Sequence, residues 1–252
     1  MKLPKVYYKN ISNVPEDEYI MLRKNSIGAS DVASMLGVGF STPQEVIAQK
    51  AYPYITEEER EIGKKPNVRK GKDLEPLILQ KYVDATEHIC SKPSDMYEIV
   101  PGLTVNYDAI RQSEDNRHII PVEIKYVSTF GNKYWKRDLD NLVIECPKTE
   151  YHGGTTLAHL EKAAAACGIP VYYYTQIQTQ MLGLEAPYGD LCPLFDKDWE
   201  IQIYRVPADK YLWTILKVSA PQWLWALLNA KGKSPEENIP TPSSIKTKEF
   251  EY

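Results

Sequence analysis

The chain is poor in the residues that build metal clusters and disulfide frameworks. Its four cysteines, Cys90, Cys146, Cys167 and Cys192, lie far apart, with no CxxC or CxxH pair among them. Zinc sites and iron–sulfur clusters need closely spaced thiolates or imidazoles, so the spacing disfavours both. Reduced thiols packed as small hydrophobes are expected instead. Histidine is equally scarce. His152 and His159 flank GGTTLA without ligand spacing, and turn or surface roles are expected of them. No apolar run approaches the roughly 18 residues of a membrane span, which excludes a membrane partner by this route. The opening MKLPKVYYKNISNVPEDEY lacks the apolar core of a secretory signal, so a cytoplasmic location is expected. An excess of positive charge is missing too. Thirty Lys and Arg stand against 34 Asp and Glu, a net charge of −4. A uniformly basic nucleic-acid coat is therefore excluded, although local patches are not. Two segments are basic, KKPNVRKGK at 64–72 and KYWKR at 133–137, the second interleaved with aromatics. A solvated loop is the plain reading of each.

What is present is an ordinary globular composition, 43% hydrophobic and 25% charged over 252 residues, enough for a sizeable core. Helical patterns run through PEDEYIMLRK, through SDVASMLGV with Ser30 or Asp31 as cap, and through TPQEVIAQKAY with Thr42 as cap and Pro43 behind it. YITEEEREIGKKPN reads as a loop or a frayed helix. DLEPLILQKYVDAT is helical, with Pro76 in its first turn or bending it. YEIV, LTVNYDAI and IIPVEIKYV read as an antiparallel meander. The stretch 129–155 is irregular. TTLAHLEKAAAACG, PVYYYTQIQTQMLGL and 208–232 read as helices, the last broken near Pro221, and WEIQIYRV reads as a strand. The expected fold class is α/β (α+β): one domain over 1–230 with a central mixed β-sheet flanked by helices, and an extended or disordered tail at 231–252.

The strand IIPVEIKYVS carries Glu123 and Lys125 two residues apart, hence on one face. Asp108 ends the preceding strand, and the intervening loop brings the two strands side by side. Two carboxylates make a hard, oxygen-rich site suited to Mg²⁺, with Mn²⁺ as substitute, and the backbone carbonyl of Ile124 completes the donor set. Lys125 then orients or deprotonates water, or stabilises charge on a phosphate. On the spacing alone a plain Glu–Lys ion pair is the default reading. Its place in an apolar strand favours the site, because buried charges need partners.

Four segments in order resemble the YqaJ-like viral recombinase family, which includes the phage lambda exonuclease and falls within the PD-(D/E)xK nuclease superfamily. They are LRKNSIGASDVASMLGV with STPQEVIAQK, RKGKDLEPLILQKY, Asp108 with VEIK, and YYYTQIQTQMLGL, spanning 22–184. The resemblance implies a restriction-endonuclease-like core and a Mg²⁺-dependent exonuclease acting 5′ to 3′ on duplex DNA ends in phage-type recombination. An endonuclease of the same superfamily, or a non-catalytic DNA-binding module, is the alternative. It implies that Asp108, Glu123 and Glu75 hold metal, that Lys125 is catalytic and that Gln176 supports the nucleophile side. Arg23 and Ser30 would bind a 5′-phosphate, with the helices of 15–50 on the DNA-end side. A single-strand annealing protein and a homotrimer are the implied partners, in a bacterial host cell with a phage or prophage origin. Where the family usually has Pro-Asp-Gly around the first carboxylate, this chain has NYDAI. The segment 129–169 is longer than the lambda enzyme's, and its role is left open.

Overall fold

Threonine caps, prolines and a few glycines punctuate the chain, and in a computed structural model residues 3–231 are described. The elements are, in order, β1 (Lys5–Tyr8), α1 (Glu16–Arg23), β2 (Ile27–Gly28), α2 (Val32–Met35), α3 (Pro43–Ala51), α4 (Glu57–Ile62) and α5 (Pro66–Thr86). Then come β3 (Cys90–Ser91), β4 (Met96–Val100), β5 (Leu103–Val105), β6 (Ala109–Gln112), β7 (Ile119–Val127) and β8 (Val143–Glu145). The chain closes with α6 (Thr156–Cys167), α7 (Val171–Leu184), β9 (Tyr188–Phe195), β10 (Ile203–Pro207) and α8 (Lys210–Ala230). The tail expected at 231–252 lies, apart from Lys231, outside the described residues.

Local chemistry explains the helix starts. Thr42 accepts from the Glu45 N–H at 3.3 Å while the Glu45 carboxylate accepts from the Thr42 N–H at 2.7 Å, and Pro43 follows. Thr56 and Glu59 repeat the device, which makes α4 a capped helix, the helical one of the two expectations, loop or frayed helix. α5 begins at Pro66, earlier than the expected Asp73, so most of the basic segment 64–72 is helical and not a loop. Pro76 therefore sits in the helix interior. Pro76 and Lys72 are both exposed, so the Lys72 carbonyl that a proline cannot bond lies within reach of solvent. α8 likewise runs unbroken through Pro221, against the expected break.

The strands form two mixed sheets, ordered β1-β4-β5-β2 and β3-β6-β7-β9-β10-β8, rather than one. LTVNYDAI is divided between them, its β5 half in the first sheet and its β6 half in the second. β6 and β7 pair antiparallel, as expected, with Ala109 opposite Val122. β7 then pairs parallel with β9, Glu123 opposite Leu191, and α6 and α7 lie in the crossover between them. β7 has two faces of different character. Val122 and Ile124 pack beneath α5 with Ile78, Tyr82, Cys192 and Leu194. Glu123 and Lys125 point the other way, towards α7. α7 lies close to its neighbours because Gly183 has no side chain: a Cβ there would stand 2.4 Å from Ile99 Cγ2. Among the described residues, no helix is long and apolar enough to cross a membrane.

Candidate active site

The sequence of α7 places glutamines at 176 and 180, four apart and so on one helical face. Both side-chain amides donate to Glu123, Gln176 to Oε1 and Gln180 to Oε2. The Lys125 ammonium pairs with the same carboxylate at Oε1. Glu123 is only 1% exposed, and a carboxylate at that depth is stable only with such a full set of donors. Gln178, two residues from either neighbour, turns away and bonds Pro207 O, Asp209 N and Trp213 Nε1 in the core. The three glutamines are thus not one stripe.

Asp108 stands at the entry to β6, where the register brings it beside Glu123. Its Oδ2 accepts from the Ile124 N–H at 2.9 Å. Ile124 thus reaches the site through its N–H, while its side chain is buried beneath α5. Burial, and then the negative charge of Glu123, push the Asp108 carboxyl up to about 8; Lys125 opposes them, Glu75 adds to them, and the Ile124 amide opposes in turn. Lys125 is also raised, which for a cation favours the charged form. Burial pulls it down, but Glu123 and Asp108 outweigh that and hold it above the ordinary lysine range. Its ammonium also lies 5.4 Å from the centroid of the Tyr173 ring.

A cavity of about 170 Å³ opens on this group. Asp108, Glu123, Lys125 and Gln176 line one side, and Arg23, Gly28 and Ser30 line another. Arg23 Nη2 donates to Ser30 Oγ at 3.0 Å and stands 3.9 Å from Asp31 Oδ1. Ser30 is not the cap of α2; it lies in a short 3₁₀ turn, Ala29–Asp31, and the Asp31 carboxylate folds back onto the Gly28 N–H at 2.8 Å. Gly28 keeps this wall open, since a Cβ there would lie 3.2 Å from Asp31 Oδ2. Asn106, also on the cavity wall, has a buried Oδ1 without a hydrogen-bond partner among the described residues.

Of the expected site residues the structure therefore gathers Asp108, Glu123, Lys125, Gln176, Arg23 and Ser30 around one space. It does not bring in Glu75, which pairs with Lys92 and does not line the cavity. Among the described residues, no three His, Cys, Asp or Glu side chains stand together as a ready cation site. The donor chemistry nevertheless fits a divalent cation at Asp108 and Glu123. Burial first, and the neighbouring Glu123 charge second, raise Asp108, and added positive charge beside the two carboxylates would oppose both. Sequence reasoning missed Gln180, although its i,i+4 spacing from Gln176 is a readable signal. It also missed the Asp31–Lys50 pair, which depends on how the Ala29–Asp31 turn and α3 meet.

Two other expectations change. His159 is buried, its Nε2 2.7 Å from Asp209 Oδ2, and is not a surface residue. The cations of 64–72 are largely matched: Lys64 with Glu61, Arg69 with Asp73, Lys70 with Asp196 and Lys72 with Glu16. That segment is not a free basic patch.

Comparison with known proteins bears on the whole arrangement. Residues 18–183 match the family model of the YqaJ-like viral recombinase domain. The fold is similar to that of an alkaline exonuclease from Laribacter hongkongensis (LHK-Exo): 20% identity, TM-score 0.55, covering 84% of this chain and 92% of that one. A second structure of LHK-Exo, in complex with dAMP, superposes with a TM-score of 0.56 at 17% identity, again over 84% of this chain and 92% of that one. Among the curated proteins, none matches significantly.

Proposed function

The chain belongs to the YqaJ-like viral recombinase domain family, and on that premise we propose that it is a divalent-metal-dependent DNA exonuclease, degrading one strand of linear duplex 5′ to 3′ in phage-type recombination. One observation carries the reading: the carboxylate–lysine–glutamine group and the Arg23–Ser30 pair face the same small cavity. An enzyme that consumes a 5′ end needs both a hydrolytic centre and a grip on the terminal phosphate, one nucleotide apart. A planar guanidinium beside a hydroxyl provides that grip.

Asp108 and Glu123 would hold the cation, Mg²⁺ with Mn²⁺ as substitute, together with the Ile124 carbonyl. Glu75, whose charge already bears on Asp108, is the further carboxylate within reach of the group. Bound there, the cation supplies Lewis-acid polarisation of the phosphodiester and a more acidic water. Gln176 and Gln180 fix the Glu123 carboxylate. Lys125 stays protonated at neutral pH, which suits it to stabilising charge on phosphate rather than to accepting a proton from water. The partners on this reading are duplex DNA ends, further copies of the chain in a trimer and a single-strand annealing protein, in the cytoplasm of a bacterial host.

The test uses linear duplex labelled at either the 5′ or the 3′ end, with Mg²⁺ or with EDTA, beside a closed circle. Loss of the 5′ label as mononucleotide, sparing of the circle and silence in EDTA are expected. Cutting of the circle would replace the proposal with an endonuclease, and no cutting of any substrate with Mg²⁺ or Mn²⁺ would leave a DNA-binding module.

A further inference from the structure

The KYWKR segment is unused by the site just described, and it lies beside an unusual group of aromatics. Phe40 is 86% exposed, yet its ring centroid lies 4.7 Å from that of Tyr172. Tyr172 in turn meets Tyr173 at 4.4 Å, and Tyr173 lies under the Lys125 ammonium. A run of rings thus leads from the catalytic lysine to solvent. Tyr134, 60% exposed, lines the same concavity as Val171, the chain neighbour of Tyr172. The Lys133 ammonium stands 4.9 Å from the Tyr134 ring centroid. Lys133 and Lys136 are exposed and, among the described residues, neither has a carboxylate partner, unlike the matched cations of 64–72. Between this segment and the end of α6 is a concavity of about 400 Å³, lined by Lys133, Tyr134, Lys136 and Gly168 and reaching Val171, the neighbour of Tyr172.

Single exposed aromatics are common and carry no meaning. A contiguous rim of them, flanked by unmatched lysines and joined to a phosphodiester-cleaving centre, is a different object. Rings offer faces to unpaired bases without reading their sequence, and lysines follow the backbone phosphates. A duplex offers few base faces, because its bases are stacked on one another, so the matching ligand is single-stranded. We propose that Phe40, Tyr172 and Tyr134, with Lys133 and Lys136, form a stacking platform for unpaired bases of a single DNA strand beside the catalytic cavity. The inference rests on the nuclease reading for its substrate and extends it to a strand that the catalytic group does not hold.

The experiment measures binding in EDTA, where no cleavage occurs. Fluorescence anisotropy follows labelled oligothymidylate of about twelve nucleotides, an abasic strand of equal length and charge, and a blunt duplex. Wild type should bind the base-bearing strand more tightly than the abasic one. Phe40→Ala and Tyr134→Ala, at exposed positions, should each weaken the base-bearing strand by roughly 5- to 100-fold and leave the abasic strand unchanged. Lys133→Ala should weaken both strands alike and flatten the salt dependence. Equal loss on both strands in Phe40→Ala, or no loss on either, overturns the platform. So does a changed sedimentation mass with unchanged affinity, which would assign the rim to contact between copies. Cleavage with Mg²⁺ is scored apart: base-dependent binding without cleavage keeps the platform and removes the nuclease reading, and the reverse pattern does the opposite.

Discussion

Lys50 holds Arg23 by its backbone. The buried Lys50 ammonium donates to the Arg23 carbonyl oxygen at 2.8 Å, and the same nitrogen lies 2.8 Å from Asp31 Oδ2. Next to it, Lys24 pairs with Glu59 at 2.7 Å and donates to Gln49 O at 2.8 Å. The C-terminal end of α1 is thus fixed from α3, and the Arg23 side chain projects from a fastened backbone into the cavity.

This makes Lys50 a positioning residue for the phosphate grip. Arg23→Ala should slow digestion of 5′-phosphorylated duplex on the order of 100-fold and matter much less for a 5′-hydroxyl end. Lys50→Met, which keeps the stem and removes the charge, should lower the same preference by about 10-fold while Arg23 is present. In an Arg23→Ala background it should change nothing further. Initial rates on the two kinds of end, for the two single variants and the double, decide the matter. Equal slowing on both ends would make Lys50 a general stability element.

Asp31 predicts a pH dependence of stability. Burial raises its carboxyl, but Lys50, Arg23 and the Gly28 amide outweigh that and hold it below the ordinary aspartate value. A depressed folded value means that the unfolded chain binds the proton first. The stabilisation is therefore complete above the ordinary aspartate range, about 4, and is lost as pH falls through the lower folded value. Asp31→Asn should cost about 3 kcal/mol at pH 7, because it leaves Lys50 buried without its counter-charge. The gap in urea midpoint between wild type and variant should close on titration towards pH 3. A constant gap would show that the cost is steric.

The parts of the site legible in the sequence are those set by short-range pattern. E-x-K on an apolar strand puts Glu123 and Lys125 on one face wherever the strand goes, and the Thr42–Pro43–Glu45 start is a local signature. β9 was missed because YGDLCPLF opens on turn-like residues and holds Pro193, yet it is central in its sheet, paired on both sides. Its strand character comes from β7 and β10, not from its own propensity. The Lys50–Asp31 pair was missed for a similar reason: each residue is ordinary in its own helix or turn, and only the meeting of α3 with the Ala29–Asp31 turn makes them partners. Glu75 pairs with Lys92 and stands off the cavity wall, yet its charge still bears on Asp108, a relationship set by how α5 lies against the sheet.

Gln180 should prove as important as Gln176. Each satisfies one oxygen of Glu123, and their removal leaves a buried carboxylate short of a donor. Gln180→Leu and Gln176→Leu should each lower turnover by roughly 10- to 100-fold, the usual cost of losing a group that orients a ligand. Glutamate at either position should be worse still, since it sets two carboxylates face to face. The check is kcat at saturating Mg²⁺ beside a thermal melt. A variant that melts normally and cleaves at the wild-type rate would remove Gln180 from the site.

The last prediction separates Lys125 from the cation. Its ammonium pairs with Glu123 and is held above the ordinary lysine range by Glu123 and Asp108 in spite of burial, so it is a fixed positive charge throughout the neutral and mildly alkaline range. A fixed charge beside a phosphodiester acts on the charge that develops during cleavage, and its loss belongs to the chemical step. Lys125→Met should therefore reduce single-turnover cleavage by roughly 100- to 1,000-fold with little change in DNA affinity. Removing it also frees Glu123 Oε1 from a competing cation, so calorimetric titration with Mn²⁺ should show equal or tighter binding. Asp108→Asn should behave oppositely, with weaker Mn²⁺ binding, because it deletes an anionic oxygen. Lys125→Arg should keep DNA affinity and still cleave slowly, since a broad planar fork does not replace the compact ammonium seated between Glu123 and the Tyr173 ring. If Lys125→Met instead weakens DNA binding and leaves the single-turnover rate intact, Lys125 is a phosphate contact and the catalytic charge must come from elsewhere.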